Sequence, residues 1–286
     1  MRDRQAEGLR SPGRPMQESA STKNGSRLAV VSGKGGVGKS AIAANLALAC
    51  ARSGEQTLLI DGDAGLANAD LLLGLIPEWT WCDVQRERVS IEDAIVRGPS
   101  GLELLVSGPG AGTDESLARA VAEGGGAGLV LRPHTILDLG AGIGRGVVEL
   151  AAACDVVWLV MTPEPTSLAD AYAMARQLWR FRPDARLELI VNRCADRDEA
   201  EGAARSLQRL TRRFLDRSPS LRALLPEDRA MGRAVLRQEP VLLAEPRSAI
   251  ARSLGHLAET WVEEAGTGRP RAQRRPLGAL REVISA

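Results

Sequence analysis

The sequence predicts an α/β fold of three layers, a mostly parallel central sheet flanked by helices on both faces. Three observations predict it. Short apolar runs alternate with amphipathic stretches from residue 27 onward, the pattern of repeated strand–helix–strand units. Aromatic residues make up only 3%, so the core is built from Ala, Leu, Val and Ile, which suits helices packed on a buried parallel sheet. A chain of 286 residues, 44% hydrophobic and 26% charged, is long enough to bury such a core.

Each element is read in turn. LAVVS, residues 28–32, is a continuous apolar run and hence a buried strand; AIAANLALACARSG, residues 41–54, is a helix. TLLID, residues 57–61, is a second strand followed by a loop. LELLV, residues 102–106, precedes the helical stretch ESLARAVAEG, residues 115–124. HTILDLG and GVVELAAAC follow as strand and helix over residues 134–140 and 146–154. DVVWLVM and SLADAYAMARQLW repeat the unit over residues 155–161 and 167–179. ARLELIVN, residues 185–192, and the helix at residues 198–215 complete the series. A last helix near residues 248–263 sets Ile250, Leu254, Leu257, Trp261 and Val262 on one side, as core packing requires.

Composition divides the chain into three parts. Residues 1–26 are polar and rich in Gly and Pro, and are expected to form a flexible arm; residues 27–264 form the domain; residues 265–286 form a basic linker and a short amphipathic segment. The net charge of +1 argues against DNA as a partner, because nonspecific binding needs a broad positive field. Cys50, Cys82, Cys154 and Cys194 form no C-x-x-C pair, which excludes the usual iron–sulfur and zinc patterns and suits reduced, mostly buried thiols. No apolar run approaches the roughly 20 residues of a membrane span, and the start of the chain has no apolar signal region. A cytoplasmic location is therefore expected.

The lysines mark the first chemical site. Among 37 Lys+Arg, lysine stands only at Lys23, Lys34 and Lys39, and two of these fall within SGKGGVGKS, residues 32–40. Gly33 to Ser40 satisfies G-x-x-x-x-G-K-[ST] between an apolar strand and a helix, the context that identifies a phosphate-binding P-loop. Its glycines let backbone N–H groups face phosphates, and the helix start adds positive potential. Gly33, Gly35, Gly36, Val37, Gly38, Lys39, Ser40 and Ala41 are the expected nucleotide-binding set, with Lys39 on the β- and γ-phosphates of ATP and Ser40 on Mg²⁺. A compact ammonium threads a closed loop where a planar guanidinium would not. The fold expectation thus becomes a three-layer P-loop NTPase.

Acids follow at the tips of later strands. Asp61 and Asp63 lie just past TLLI, where two carboxylates can serve a hydrated Mg²⁺ and an attacking water separately. Asp138 ends the apolar run of residues 134–138 and precedes a glycine-rich turn, the position of an acid that supports the metal through water.

K-G-G-V-G-K-S resembles the deviant Walker A sequence of the MinD/ParA group of ATPases. The resemblance implies that Lys34 reaches across a homodimer, formed with ATP, to the partner's phosphates. D-x-D-x-G-L-x-N-x-D is similar to the group's first switch, which implies that Asp61 holds a magnesium water and Asp63 positions the nucleophile. Asp138 with Ala141-Gly142 resembles the second switch. By the same resemblance Asn192 and Arg193, and the loop with Pro226 and Asp228, flank the adenine, while Glu164 meets the partner's ribose. Lys39, Asp63 and Lys34 are the expected catalytic residues.

Within the group, GLANADLLLGL, TPEPTSLADAYA and AVLRQEPVLLAEPRSAIA resemble the flagellar-number regulators FlhG and FleN. Ala67, where MinD usually has arginine, counts against division-site placement. Relatives carry D-Q-A-x-x-L-R ahead of the P-loop, an element that engages FlhF, a GTPase of the signal-recognition type. Gln5, Ala6, Leu9 and Arg10 match it, while Arg4 replaces the acid. Leu277, Leu280, Val283 and Ile284 share a helical face beside several arginines, which suits an anionic membrane surface or docking on the domain itself. Flagellar switch (C-ring) proteins or a flagellar transcription regulator complete the expected partners, with reversible attachment at the inner membrane face. Competing readings are a MinD-like division-site ATPase, a ParA-like partitioning ATPase and a nucleotide-binding scaffold with little turnover.

Overall fold

The computed structural model describes residues 26–63, 68–108, 115–123, 125–126 and 129–266. The arm motif at Gln5 to Arg10, Ala67 and the amphipathic segment after residue 276 lie outside the described residues.

The chain opens with β1 (Ser26–Val31), turns through the glycine-rich loop and enters α1 (Lys39–Arg52). β2 (Thr57–Gly62) is followed by three short helices, α2 (Ala69–Leu73), α3 (Trp81–Gln85) and α4 (Ile91–Ala94). These helices stand where the sequence suggested loop alone; each is at most 5 residues, too short to show an amphipathic period. α3 is instead fixed by a capping box between Thr80 and Asp83. Next come β3 (Val96–Arg97), β4 (Glu103–Val106), α5 (Glu115–Glu123) and the pair β5 (Gly125–Gly126) and β6 (Leu129–Val130). β7 (His134–Leu139), α6 (Arg145–Ala152), β8 (Val156–Met161), α7 (Pro165–Phe181), β9 (Leu187–Cys194) and α8 (Arg197–Leu215) alternate as expected. β10 (Ser220–Pro226), α9 (Arg229–Leu236), α10 (Val241–Ala244) and α11 (Ala249–Gly266) complete the described chain.

Eight strands form one sheet in the order β10-β9-β8-β1-β7-β2-β4-β3, parallel throughout except for β3 against β4. Helices cover both faces. Alternate residues of a strand feed opposite cores: Ala29 and Val31 pack beneath α5 to α8, while Leu28 and Val30 pack beneath α1 and α11. Register sets up the site. Val30 lies opposite Asp138, and Asp61 lies opposite Asp138 on the other side, so the carboxyl ends of three adjacent strands meet at one edge. Cys50, Cys154 and Cys194 are buried and Cys82 is half-buried, all as free thiols.

At the opposite end, a buried ion pair ties β1 to the start of β8. Arg27 and Asp155 meet at 2.9 Å, and the guanidinium also donates to the carbonyls of Val121 and Ala122 at the end of α5. Removing one partner leaves the other charge buried without compensation. Asp155→Ala is therefore expected to lower stability by about 3 kcal/mol in urea unfolding; a loss too small to measure would show that the pair is dispensable.

Candidate functional site

The loop between β1 and α1 is held in place by two neighbours that leave no room for side chains. A Cβ on Gly33 would stand 2.1 Å from the backbone oxygen of Asp170 in α7, and one on Gly38 would stand 2.4 Å from Asn192 Nδ2. Gly38 also has φ +91°, a conformation that L side chains rarely adopt. Asn192, at the end of β9, donates through Nδ2 to the Val37 carbonyl at 2.8 Å. Hence the loop, α7 and β9 are locked together.

Lys39 begins α1 and is buried. Its Nζ lies 2.6 Å from Asp138 Oδ1 and donates to Ser40 Oγ at 3.2 Å. Side-chain exposure is 6% for Lys39 and 1% for Asp138, so this is an interior ion pair. Burial pushes the Asp138 carboxyl up from its ordinary range, and the Lys39 charge pulls it back. Asp138 Oδ2 is buried and has no hydrogen-bond partner among the described residues. Such an orphaned oxygen beside a serine hydroxyl suits a hydrated divalent cation.

Asp61 serves the neighbouring loop. Its Oδ1 accepts from the Asp63 N–H at 3.0 Å, and its Oδ2 accepts from the N–H groups of Asn68 and Ala69, both at 2.9 Å. Burial and then the Asp138 charge push its carboxyl up to about 6, against those three hydrogen bonds. Asp61 thus anchors both ends of the 63–68 loop and the start of α2. Asp63 stands across from the second glycine-rich turn: a Cβ on Gly140 would lie 3.5 Å from Asp63 Oδ1. Lys39, Ser40, Asp61, Asp63 and Asp138 are accordingly gathered at one strand edge.

Lys34 pairs with the start of α7. Its Nζ donates to Glu164 Oε2 at 2.7 Å and to Thr166 Oγ1 at 3.1 Å. The side chains are 29% and 61% exposed, and the hydrogen bond and charge of Lys34 hold the Glu164 carboxyl below its usual range. Arg193 has φ +57°, outside the ordinary region for a long side chain, and is exposed beside the same cleft.

A cleft of about 1390 Å³ adjoins these groups; it is lined by Ser32, Gly35 to Ala41, Asp63, Asn192, Arg193, Pro226 and Asp228, while Lys34 and Glu164 stand outside its lining. Asp228 spends its carboxylate on structure, accepting from Ala230 N at 2.9 Å as the cap of α9 and from Ile250 N at 3.3 Å. Leu71 and Leu72 of α2 and Met231, Val235 and Leu236 of α9 form apolar walls that the sequence did not single out. Their spacing matched ordinary core residues, and only the packing of α2 opposite α9 reveals them as a lining.

Residues 28–241 match the family described as CobQ/CobB/MinD/ParA nucleotide binding domain. The chain is 37% identical over 229 residues to the antiactivator FleN of Pseudomonas aeruginosa, covering 77% of this chain and 80% of that protein. It is 36% identical over 155 residues to the flagellum site-determining protein YlxH of Helicobacter pylori, covering 51% of each. Among solved structures, the septum site-determining protein MinD of Pyrococcus horikoshii, complexed with Mg-ADP, superposes with a TM-score of 0.69 at 25% identity. That match covers 86% of this chain and 99% of the other.

The tight fit of the loop gives a direct expectation. Gly33→Ala should push the loop off α7 and weaken binding of a fluorescent ADP analogue by at least about tenfold, with the circular dichroism of the fold retained. Unchanged affinity would mean that the contact with Asp170 does not set the loop.

Proposed function

The chain belongs to the CobQ/CobB/MinD/ParA nucleotide-binding family and is an ATPase of the MinD/ParA type; on that premise we propose that it is a switch that dimerises around ATP and Mg²⁺ and regulates the number or placement of flagella. The observation that carries the switch is the second lysine. Lys39 is buried against Asp138 at the strand edge, which supports a role on the phosphates of its own site, whereas Lys34 is paired with Glu164 nearer the surface, which supports a role toward another copy.

In the proposed cycle, Lys39 leaves Asp138 for the β- and γ-phosphates, which offer it more negative charge at the same edge. Ser40 directly, and Asp61 and Asp138 through water, would hold Mg²⁺, which neutralises charge developing on the phosphates. Asp63 orients the attacking water. Asn192 keeps its Nδ2 on Val37 and offers Oδ1 to the amino group of adenine. The apolar walls of α2 and α9, with Pro226, close around the base, and Arg193 and Asp228 shape that rim. On dimerisation Lys34 releases Glu164 and reaches the partner's phosphates, while Glu164 turns to the partner's ribose.

The flagellar part rests on two relatives, one named an antiactivator and one named flagellum site-determining, together with the stretches that resemble FlhG and FleN. On this reading residues 1–20 engage an FlhF-type GTPase, and residues 277–286 rest on the anionic inner face of the cell membrane. C-ring proteins or a flagellar transcription regulator receive the signal. No helix among the described residues is long and apolar enough to cross a membrane.

The lysines separate experimentally. Lys39→Ala should lose nucleotide binding, whereas Lys34→Ala should bind ATP and remain monomeric in size exclusion. Equal loss of affinity in both would contradict the trans role of Lys34. Asp63→Ala should bind ATP and accumulate as a stable dimer, because the step that resets the switch is blocked; a monomer in saturating ATP would count against this assignment.

A further inference from the structure

Lys34 stands in a stretch with little order of its own. Gly33, Gly35 and Gly36 surround it, Gly36 has φ +80°, and a Cβ on Gly35 or Gly36 would meet nothing within 4 Å. Glycines leave a chain more freedom than any other residue, so a lysine among them needs its own peptide held. The Nζ contacts with Glu164 and Thr166 cannot do this throughout, because the proposed cycle gives them up. The main chain has to supply the hold.

Ser32 touches that main chain. It follows β1, is 0% exposed, and donates through Oγ to the Lys34 carbonyl at 2.8 Å. A carbonyl can only accept, so the hydroxyl proton is committed. The Ser32 carbonyl in turn accepts from the Gly142 N–H at 2.9 Å, in the turn that follows Asp138. Gly142 holds φ +99°, where L side chains are strained. Ser32 therefore joins two loops: its main chain meets the turn after Asp138, and its side chain meets Lys34. A serine that merely closed a turn would accept from the N–H two residues on. Here the hydroxyl donates to the carbonyl of that residue instead. Because the peptide is planar and trans, fixing this carbonyl also fixes the Gly35 N–H on its opposite side.

We propose that Ser32 is a positioning residue for Lys34: its hydroxyl holds the Lys34 peptide in the orientation from which the ammonium reaches a second copy. The Ser32 carbonyl ties that orientation to the turn after Asp138, so a change in the turn is passed to the lysine. The inference rests on the trans role proposed for Lys34 and adds the group that makes the lysine competent. A neutral hydrogen bond of this kind is worth about fivefold in an equilibrium, and a symmetric dimer uses it twice. Dimerisation should accordingly weaken by about 25-fold when the hydroxyl is removed.

The test uses the full chain as parent, Ser32→Ala, Ser32→Thr and Lys34→Ala. Affinity for a fluorescent ATP analogue is measured where the protein is monomeric, and the dimerisation midpoint is measured by sedimentation velocity with Mg²⁺ and a non-hydrolysable ATP analogue. Ser32→Ala should raise the dimerisation midpoint by about 25-fold while changing nucleotide affinity by less than about twofold, with the circular dichroism retained. Ser32→Thr, which keeps the hydroxyl, should lie nearer the parent. An unshifted midpoint in Ser32→Ala, a parallel loss of nucleotide affinity, or a Ser32→Thr protein as weak as Ser32→Ala would overturn the proposal. Lys34→Ala separates the two claims. If it dimerises as the parent does, the trans role fails and this proposal falls with it; if it stays monomeric while Ser32→Ala matches the parent, the trans role stands and this proposal alone falls.

Discussion

The Lys39–Asp138 pair is the interaction on which the rest of the site depends. An ammonium in the interior must find a compensating charge, and the only economical place for one is the tip of the adjacent strand. The order β8-β1-β7-β2 supplies that place, because β1 delivers the P-loop and β7 delivers Asp138 at the same edge. One Asp138 carboxylate oxygen is on Lys39 and the other has no partner among the described residues, which on the proposed reading leaves room for a hydrated metal at the strand tip. The neighbouring Asp61 is under the same pressure: it is buried, faces a second acid, and is kept in place by three backbone N–H groups. Charge is thus concentrated in a small dry volume whose balance a nucleotide can change.

Helix α7 connects this chemistry to the surface. Its first turn presents Thr166 to Lys34 just after Glu164, its second turn meets Gly33 through Asp170, and its far half carries the exposed Arg176 and Arg180. A packed helix is stiff, so one element ties the glycine-rich loop to the exposed surface at its far end. The same economy appears in Asn192, near the end of β9, which donates to the P-loop and borders the cleft.

Much of this was legible in the sequence wherever local pattern and tertiary role agree. The apolar runs at residues 28–31, 57–61, 134–139 and 156–161 are strands because both faces of the sheet are covered, and the G-x-x-x-x-G-K-S loop falls between strand and helix as its motif requires. β10 was not legible. SLRALLP contains an arginine that reads as surface, yet the Arg222 guanidinium lies 5.1 Å from the Trp158 ring and pairs with Glu264, so its charge is satisfied inside the fold. α2 and α9 escaped notice for a different reason: their leucines, valine and methionine line a cleft only because the two helices face each other across it. Asp228 was assigned to the nucleotide by resemblance; it lines the cleft, but its carboxylate is engaged in capping α9. Pattern reveals which residues carry chemistry more readily than it reveals which atoms are already spent.

The account requires that two chains cooperate in one hydrolytic site, and the most direct measurement is phosphate release from ATP and Mg²⁺ as a function of protein concentration. If Lys34 of one copy completes the site of another, activity per chain should rise with concentration and level off once the dimer predominates. Constant activity per chain, from concentrations where the protein is monomeric upward, would show that each chain hydrolyses ATP alone and would contradict the switch.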